Sequence, residues 1–130
     1  MIDHVGYLVR DLDAGLALVT GAFGLEVTRS VERPQWQLVG YYAGPVEVFT
    51  FTEPELLDER LGGADAKLDH LAWVVDDLEE AMARFPGPFS GPDLRGEVSE
   101  PFDLGPARHV WTVVGGMGVQ LIEYAGGTAA

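Results

Sequence analysis

Residues 3–19 read DHVGYLVRDLDAGLALV, and residues 69–85 read DHLAWVVDDLEEAMARF. At a constant offset of 66, six positions are identical: Asp3/Asp69, His4/His70, Val9/Val75, Asp11/Asp77, Leu12/Leu78 and Ala17/Ala83. Val5/Leu71, Tyr7/Trp73 and Asp13/Glu79 are close replacements. A second echo closes each half, VEVFTF at 46–51 against VQLIEY at 119–124. Self-similarity at a fixed spacing means that one supersecondary unit occurs twice, so reading one copy reads the fold.

Each copy opens on a strand pattern. Residues 2–9 and 68–75 are β-branched, aromatic and apolar on both faces, as expected of a strand covered on both sides. Asp11 and Asp77 follow where a helix needs an N-cap, a carboxylate accepting from exposed backbone N–H groups. Leu12, Leu16, Val19 and Phe23 then recur at helical spacing, as do Leu78, Met82 and Phe85 in the second copy. Gly24 stops the first helix and Pro86-Gly87-Pro88 the second. Three shorter strands complete each copy, over 25–31, 36–43 and 46–52 and over 89–100, 107–114 and 118–124. Gly115-Gly116-Met117-Gly118 reads as the turn before the last strand.

The prediction is a single α+β domain over 1–130, built of two tandem βαβββ modules at 1–53 and 68–124. A connector at 54–67 carries a short helical turn before Gly62-Gly63, and residues 125–130 form a tail. The two sheets are expected to curve into a cup-shaped, partly open β-barrel with flanking helices.

Composition narrows the function. A chain of 130 residues, 47% apolar, is about one domain with a sizeable core. Eight Lys and Arg against 21 Asp and Glu give a formal charge of −13, a field that repels nucleic-acid phosphates and anionic lipid. The absence of cysteine removes disulfides, thiolate catalysis, Cys-type zinc sites and iron–sulfur clusters. No apolar run reaches membrane-spanning length, and the N-terminus opens on a strand pattern rather than a signal peptide. The expectation is a cytoplasmic protein with a small-molecule ligand, and neither nucleic acid nor membrane as a partner.

Strand parity selects candidates for chemistry. Alternation places Ile2, His4, Gly6 and Leu8 on one face of the first strand and Leu68, His70, Ala72 and Val74 on the equivalent face in the second copy. In the last strands Glu47, Phe49 and Phe51 share a face, as do Gln120, Ile122 and Tyr124. If the modules pack with pseudo-twofold symmetry, His4, Glu47, His70 and Gln120 meet. Imidazole, carboxylate and amide oxygen without thiolate suit one divalent ion such as Co²⁺, Ni²⁺, Mn²⁺, Zn²⁺ or Fe²⁺. Spacing alone leaves the alternative open, since a histidine on an apolar strand is commonly a satisfied structural residue and duplication alone would repeat it. A register shift would put Glu123 in place of Gln120. Trp36, Tyr41, Phe49, Phe51, Trp111 and Tyr124 lie on strands suited to line an apolar cavity, with His109 as a polar contact, although small β-rich cores pack with the same residue types.

DHVGYLVRDLDAGL and DHLAWVVDDLEEAM, with VEVFTF and VQLIEY closing each half, resemble the vicinal oxygen chelate superfamily, over about 1–124. It includes lactoylglutathione lyase, methylmalonyl-CoA epimerase, extradiol dioxygenases and the bleomycin- and fosfomycin-resistance proteins. In its metal-dependent members one ligand comes from the first strand and one from the last strand of each module. The resemblance therefore implies His4 and His70 as imidazole ligands and Glu47 and Gln120 as last-strand ligands. This set is similar to that of methylmalonyl-CoA epimerases with the amide and carboxylate exchanged between modules.

The resemblance implies a metal-dependent isomerase, epimerase or lyase, with Glu47 as the proton-transferring base and an enolate-type intermediate. Two alternatives stand beside it: a non-haem Fe(II) dioxygenase using His4, His70 and Glu47, and a metal-free small-molecule binder of the drug-resistance type. No phosphate-cradling loop supports CoA as the substrate. A homodimer is expected, because related modules pair and small sheets have edges to cover.

Overall fold

In the computed structural model, which describes residues 1–91 and 101–127, the chain runs β1 (Ile2–Val9), α1 (Leu12–Ala17) with a π-helical extension over Leu18–Ala22, β2 (Val27–Arg33), β3 (Leu38–Ala43), β4 (Val46–Phe51), α2 (Pro54–Leu61), β5 (Ala66–Val74), α3 (Leu78–Arg84), β6 (Phe102–Leu104), β7 (Ala107–Val114) and β8 (Met117–Tyr124). This is βαβββ twice with α2 in the connector, the α+β class that the repeat predicts. Two units result, an N-terminal one of His4–Asp69 and a C-terminal one of Met1–Asp3 with the described residues from His70 onward. The chain passes between them at Asp3–His4 and again at Asp69–His70, so each Asp-His pair of the repeat straddles a unit boundary.

In the N-terminal unit the strand order is β2-β3-β4-β1, with β1 parallel to β4 and the other pairs antiparallel. A parallel pair needs a crossover, which α1 supplies. Asp11 caps it, accepting from the Ala14 N–H at 3.1 Å. Gly15 lets the helix close on the sheet: a Cβ there would lie 2.8 Å from a Val9 methyl and 3.1 Å from a Val48 methyl. Val9, Val19, Ala43 and Val48 form the core under this helix, with Leu12 and Leu16 packed against it. Phe23, expected on the same stripe, is 65% exposed. The cause is the wider π turn, in which the Phe23 N–H donates to the Leu18 carbonyl at 3.2 Å and the apolar stripe slips off the sheet.

The opposite face of this sheet packs Leu8, Val31, Leu38, Phe49 and Phe51 against Leu56, Leu57 and Leu61 of α2. Pro54 starts α2 at a position whose N–H has no helical partner, and Gly62, at φ 61°, ends it. Arg60 of α2 grips Asp69 with a fork of hydrogen bonds, Nη2 to Oδ2 at 2.6 Å and to Oδ1 at 2.7 Å, and lies over the Phe51 ring.

The second and third strands start later than the 25–31 and 36–43 expected. Pro34 cannot donate to a ladder, so the chain leaves β2 there, turns through a 3-10 segment over Pro34–Trp36 and re-enters β3 after Gln37 at φ 55°. Trp36 therefore sits on a turn rather than on a strand.

In the C-terminal unit the order is β5-β8-β7-β6, with β5 parallel to β8. Asp77 caps α3 by accepting from the Glu80 N–H at 3.0 Å. Leu78 and Ala81 bury against Val110, Val119 and Leu121. Gly115 and Gly116, at φ 59° and 81°, make the two-residue hairpin turn, so Met117 and Gly118 belong to β8. The Met1 carbonyl accepts from the Val74 N–H at 2.7 Å, and the Tyr124 hydroxyl donates to Asp3 at 2.7 Å, which fixes the start of the chain in this unit. Of the strand expected over 89–100, Ser90 bridges Trp111, and 92–100 lie outside the described residues, as do 128–130 of the tail. Among the described residues no helix is long and apolar enough to cross a membrane.

Candidate metal centre

Register brings the candidate ligands into equivalent settings in the two units. In the N-terminal unit Glu47 of β4 is paired with Gly6 of β1, two residues after His4. In the C-terminal unit Gln120 of β8 is paired with Ala72 of β5, two residues after His70. Gly6 has no side chain and Ala72 only a methyl. All four candidates are buried: His4 3%, Glu47 6%, His70 5% and Gln120 4% exposed. Burial of this kind is costly for polar groups unless partners compensate it, so these residues are held by specific interactions.

Within the N-terminal unit His4 Nε2 lies 3.7 Å from Glu47 Oε1. The Tyr42 and His4 rings are perpendicular with centroids 5.2 Å apart, and Arg29 lies over the Tyr42 ring at 4.1 Å. Arg29, Tyr42 and Glu47 form one cross-strand row, because Arg29 pairs with Tyr42 and Tyr42 with Glu47. Tyr41 is expected among the aromatics on strands suited to line an apolar cavity. Tyr41 pairs with Val48 and so points to the α1 side, and Tyr42 takes its place. Counting back from the Gly44-Pro45 turn, where Ala43 pairs with Val46, would have found it. Phe49 and Phe51 stand on the Glu47 face deep in the core, with Trp36 packed against their cluster.

Within the C-terminal unit Gln120 Nε2 and His109 Nδ1 are 2.8 Å apart. His109 is 7% exposed and stacks on Trp111, rings 5.7 Å apart and inclined by 17°. Trp111 pairs with Gln120 directly, so both aromatic rings share the Gln120 face. Tyr124 lies on that face with Ala72, Ala107 and Ile122.

Glu123 occupies the other face. Its Oε2 accepts from the Leu78 N–H at 2.7 Å and its Oε1 from Arg108 Nη1 at 3.1 Å. Arg108 also pairs with Glu79, and that hydrogen bond holds the exposed Glu79 carboxyl below the usual carboxylate range, with Arg108 raised in turn. Asp77, Glu79 and Glu123 form an acidic cluster at the start of α3, but the helix N-terminus and Arg108 account for it.

A family model described as "Glyoxalase/Bleomycin resistance protein/Dioxygenase superfamily" matches residues 3–87. No curated protein matches the sequence. Among solved structures, the chain is similar to methylmalonyl-CoA epimerase from Mycobacterium tuberculosis, at 15% identity and TM-score 0.74, covering 95% of this chain and 87% of that one. It is also similar to a Streptomyces coelicolor methylmalonyl-CoA epimerase variant in complex with 2-nitronate-propionyl-CoA, at 18% identity and TM-score 0.74, covering 100% and 98%. A selenomethionine methylmalonyl-CoA epimerase structure matches at 24% identity and TM-score 0.71, covering 95% and 94%. At these identities the likeness is one of fold.

Proposed function

The chain belongs to the glyoxalase/bleomycin resistance protein/dioxygenase superfamily, and on that premise we propose that it is a metal-dependent isomerase or epimerase that moves a proton on the carbon next to a carbonyl of a small substrate. The observation that carries this reading is the repeated register: in each unit a buried imidazole stands on the first strand and a buried oxygen donor on the last, two residues out of step. His4, Glu47, His70 and Gln120 would hold one divalent ion. The donor set fits, because two imidazoles, a carboxylate and an amide oxygen are ligands for Co²⁺, Ni²⁺, Mn²⁺, Zn²⁺ or Fe²⁺ without any thiolate.

When bound, the ion supplies Lewis acidity to the carbonyl oxygen, which acidifies the adjacent C–H. Glu47 supplies the base: a carboxylate oxygen takes the proton from carbon and returns it, whereas the Gln120 amide has no proton affinity to share that task. Tyr42 packs perpendicular to the His4 ring, which helps to orient the imidazole. The four-donor set favours this chemistry over a dioxygenase, which needs three protein ligands and more open positions. The substrate is a small molecule that presents two oxygens. We also infer a homodimer in the cytoplasm, testable by sedimentation at micromolar concentration and by fractionation.

The test is exchange of a carbon-bound proton with solvent. Metal-loaded protein is incubated in deuterium oxide with methylmalonyl-CoA, the compound in the name of the structural neighbours, and in parallel with a glutathione hemithioacetal. Deuterium uptake that is lost in Glu47→Gln supports the proposal. Stoichiometric binding of an apolar compound with no exchange, by protein that takes up no metal, supports the metal-free binder instead.

A further inference from the structure

The contact between Gln120 and His109 in the C-terminal unit is directional in its chemistry. Glutamine presents an oxygen at one end of its amide and an NH₂ at the other, and only the oxygen can face a cation. We infer that His109 is the positioning residue that aims Gln120 Oε1 at the metal, an inference that rests on reading Gln120 as a ligand.

Three observations carry it. The 2.8 Å contact joins Gln120 Nε2 to His109 Nδ1. With the NH₂ facing the ring, the amide oxygen is turned away from it; the ring nitrogen then accepts with a lone pair, which requires the neutral tautomer with its proton on Nε2. Both side chains are buried, at 4% and 7% exposure, where water cannot substitute for a lost partner. Finally, the ring is itself fixed, because it stacks on Trp111, whose backbone pairs with Gln120 on the neighbouring strand. A free glutamine would sample several rotamers and both amide orientations. His109 leaves it one, ready before the ion arrives. This is the arrangement in which an outer partner fixes the orientation of a ligand, and its loss weakens metal binding by about 10–100-fold.

The test titrates apo protein with Co²⁺ by calorimetry, alongside His109→Leu, His109→Asn, Gln120→Leu and the His109→Leu/Gln120→Leu double variant, with thermal unfolding as the control for folding. Asparagine places Oδ1 near the Nδ1 position and accepts the same NH₂. The expectation is a Kd about 10–100-fold higher in His109→Leu, recovery to near wild type in His109→Asn, and no further loss when His109→Leu is added to Gln120→Leu. Equal weakening by His109→Asn and His109→Leu would overturn the inference, since packing alone would then explain both. Should His109→Leu fail to fold, nitrogen-15 NMR of wild-type His109 decides: a proton on Nε2 supports the inference and a proton on Nδ1 overturns it. The failures are separable. Wild-type affinity in Gln120→Leu would overturn the ligand reading, and weak binding there with wild-type affinity in His109→Leu would overturn only the positioning role.

Discussion

Gln120 and Glu123 are three residues apart on β8 and face opposite sides of the sheet. Gln120 contacts His109 at 2.8 Å on one side, and Glu123 accepts from the Leu78 N–H at 2.7 Å, at the start of α3, on the other. The register that sequence alone left open between them is thus tied to separable properties. Glu123→Gln is expected to lower stability by about 1 kcal/mol, the usual cost of a lost helix-end carboxylate contact, and to leave Co²⁺ affinity at the wild-type value. Calorimetric titration and thermal unfolding of the one variant check both.

The Arg108–Glu79 pair gives an acid-dependent contribution. The Glu79 carboxyl is held below its ordinary value by the Arg108 hydrogen bond, so the folded state favours its charged form. Its stabilisation is complete above the unfolded carboxylate pKa of about 4.5 and fades as pH falls through the lower folded value. The Tm gap between wild type and Glu79→Gln is therefore expected to be largest near neutrality and to close as pH falls from 4.5 through the lower folded value. A gap that widens on acidification would contradict this.

Gly40 is a packing constraint. A Cβ at this position would lie 2.3 Å from the Val48 carbonyl oxygen and 2.7 Å from the Phe49 Cβ, so β3 and β4 would have to separate. Gly40→Ala is expected to cost about 1–3 kcal/mol by overpacking, read as a lower midpoint in urea at unchanged slope.

Glu47→Gln separates binding from chemistry. The amide oxygen can still coordinate, so metal is retained at reduced affinity, while the proton-transfer rate falls by about 10²–10⁴-fold. Exchange kinetics on metal-loaded protein would show it; an unchanged rate would assign the base elsewhere.

The doubled strand–helix opening was legible because it depends on local chemistry. Asp11 and Asp77 cap helices as carboxylates do anywhere, and their 66-residue spacing identifies the two copies. His4, Glu47, His70 and Gln120 could be singled out by parity because the side-chain alternation of a strand is strict. What could not be read depends on pairing between strands or on irregular turns. Tyr42 replaces Tyr41 because the Gly44-Pro45 hairpin sets the β3–β4 register, and Trp36 leaves its strand because Pro34 breaks the ladder. Phe23 is exposed because a π turn displaced the helical stripe, which periodicity cannot anticipate. The His109–Gln120 contact joins residues eleven positions apart through a diagonal across two strands, and no linear pattern marks it.

The proposal that His4, Glu47, His70 and Gln120 would hold one divalent ion per chain is tested most directly by titrating chelator-treated wild type and His70→Ala with Co²⁺ while following heat and Tm. Wild type is expected to bind one equivalent and to gain about 2.7 kcal/mol of apparent stability at a hundredfold excess of free ion over Kd. His70→Ala should fold but lose the ion, because a methyl group cannot replace an imidazole donor. Wild type that takes up no ion and shows no rise in Tm, or His70→Ala that binds as tightly as wild type, would contradict the assignment.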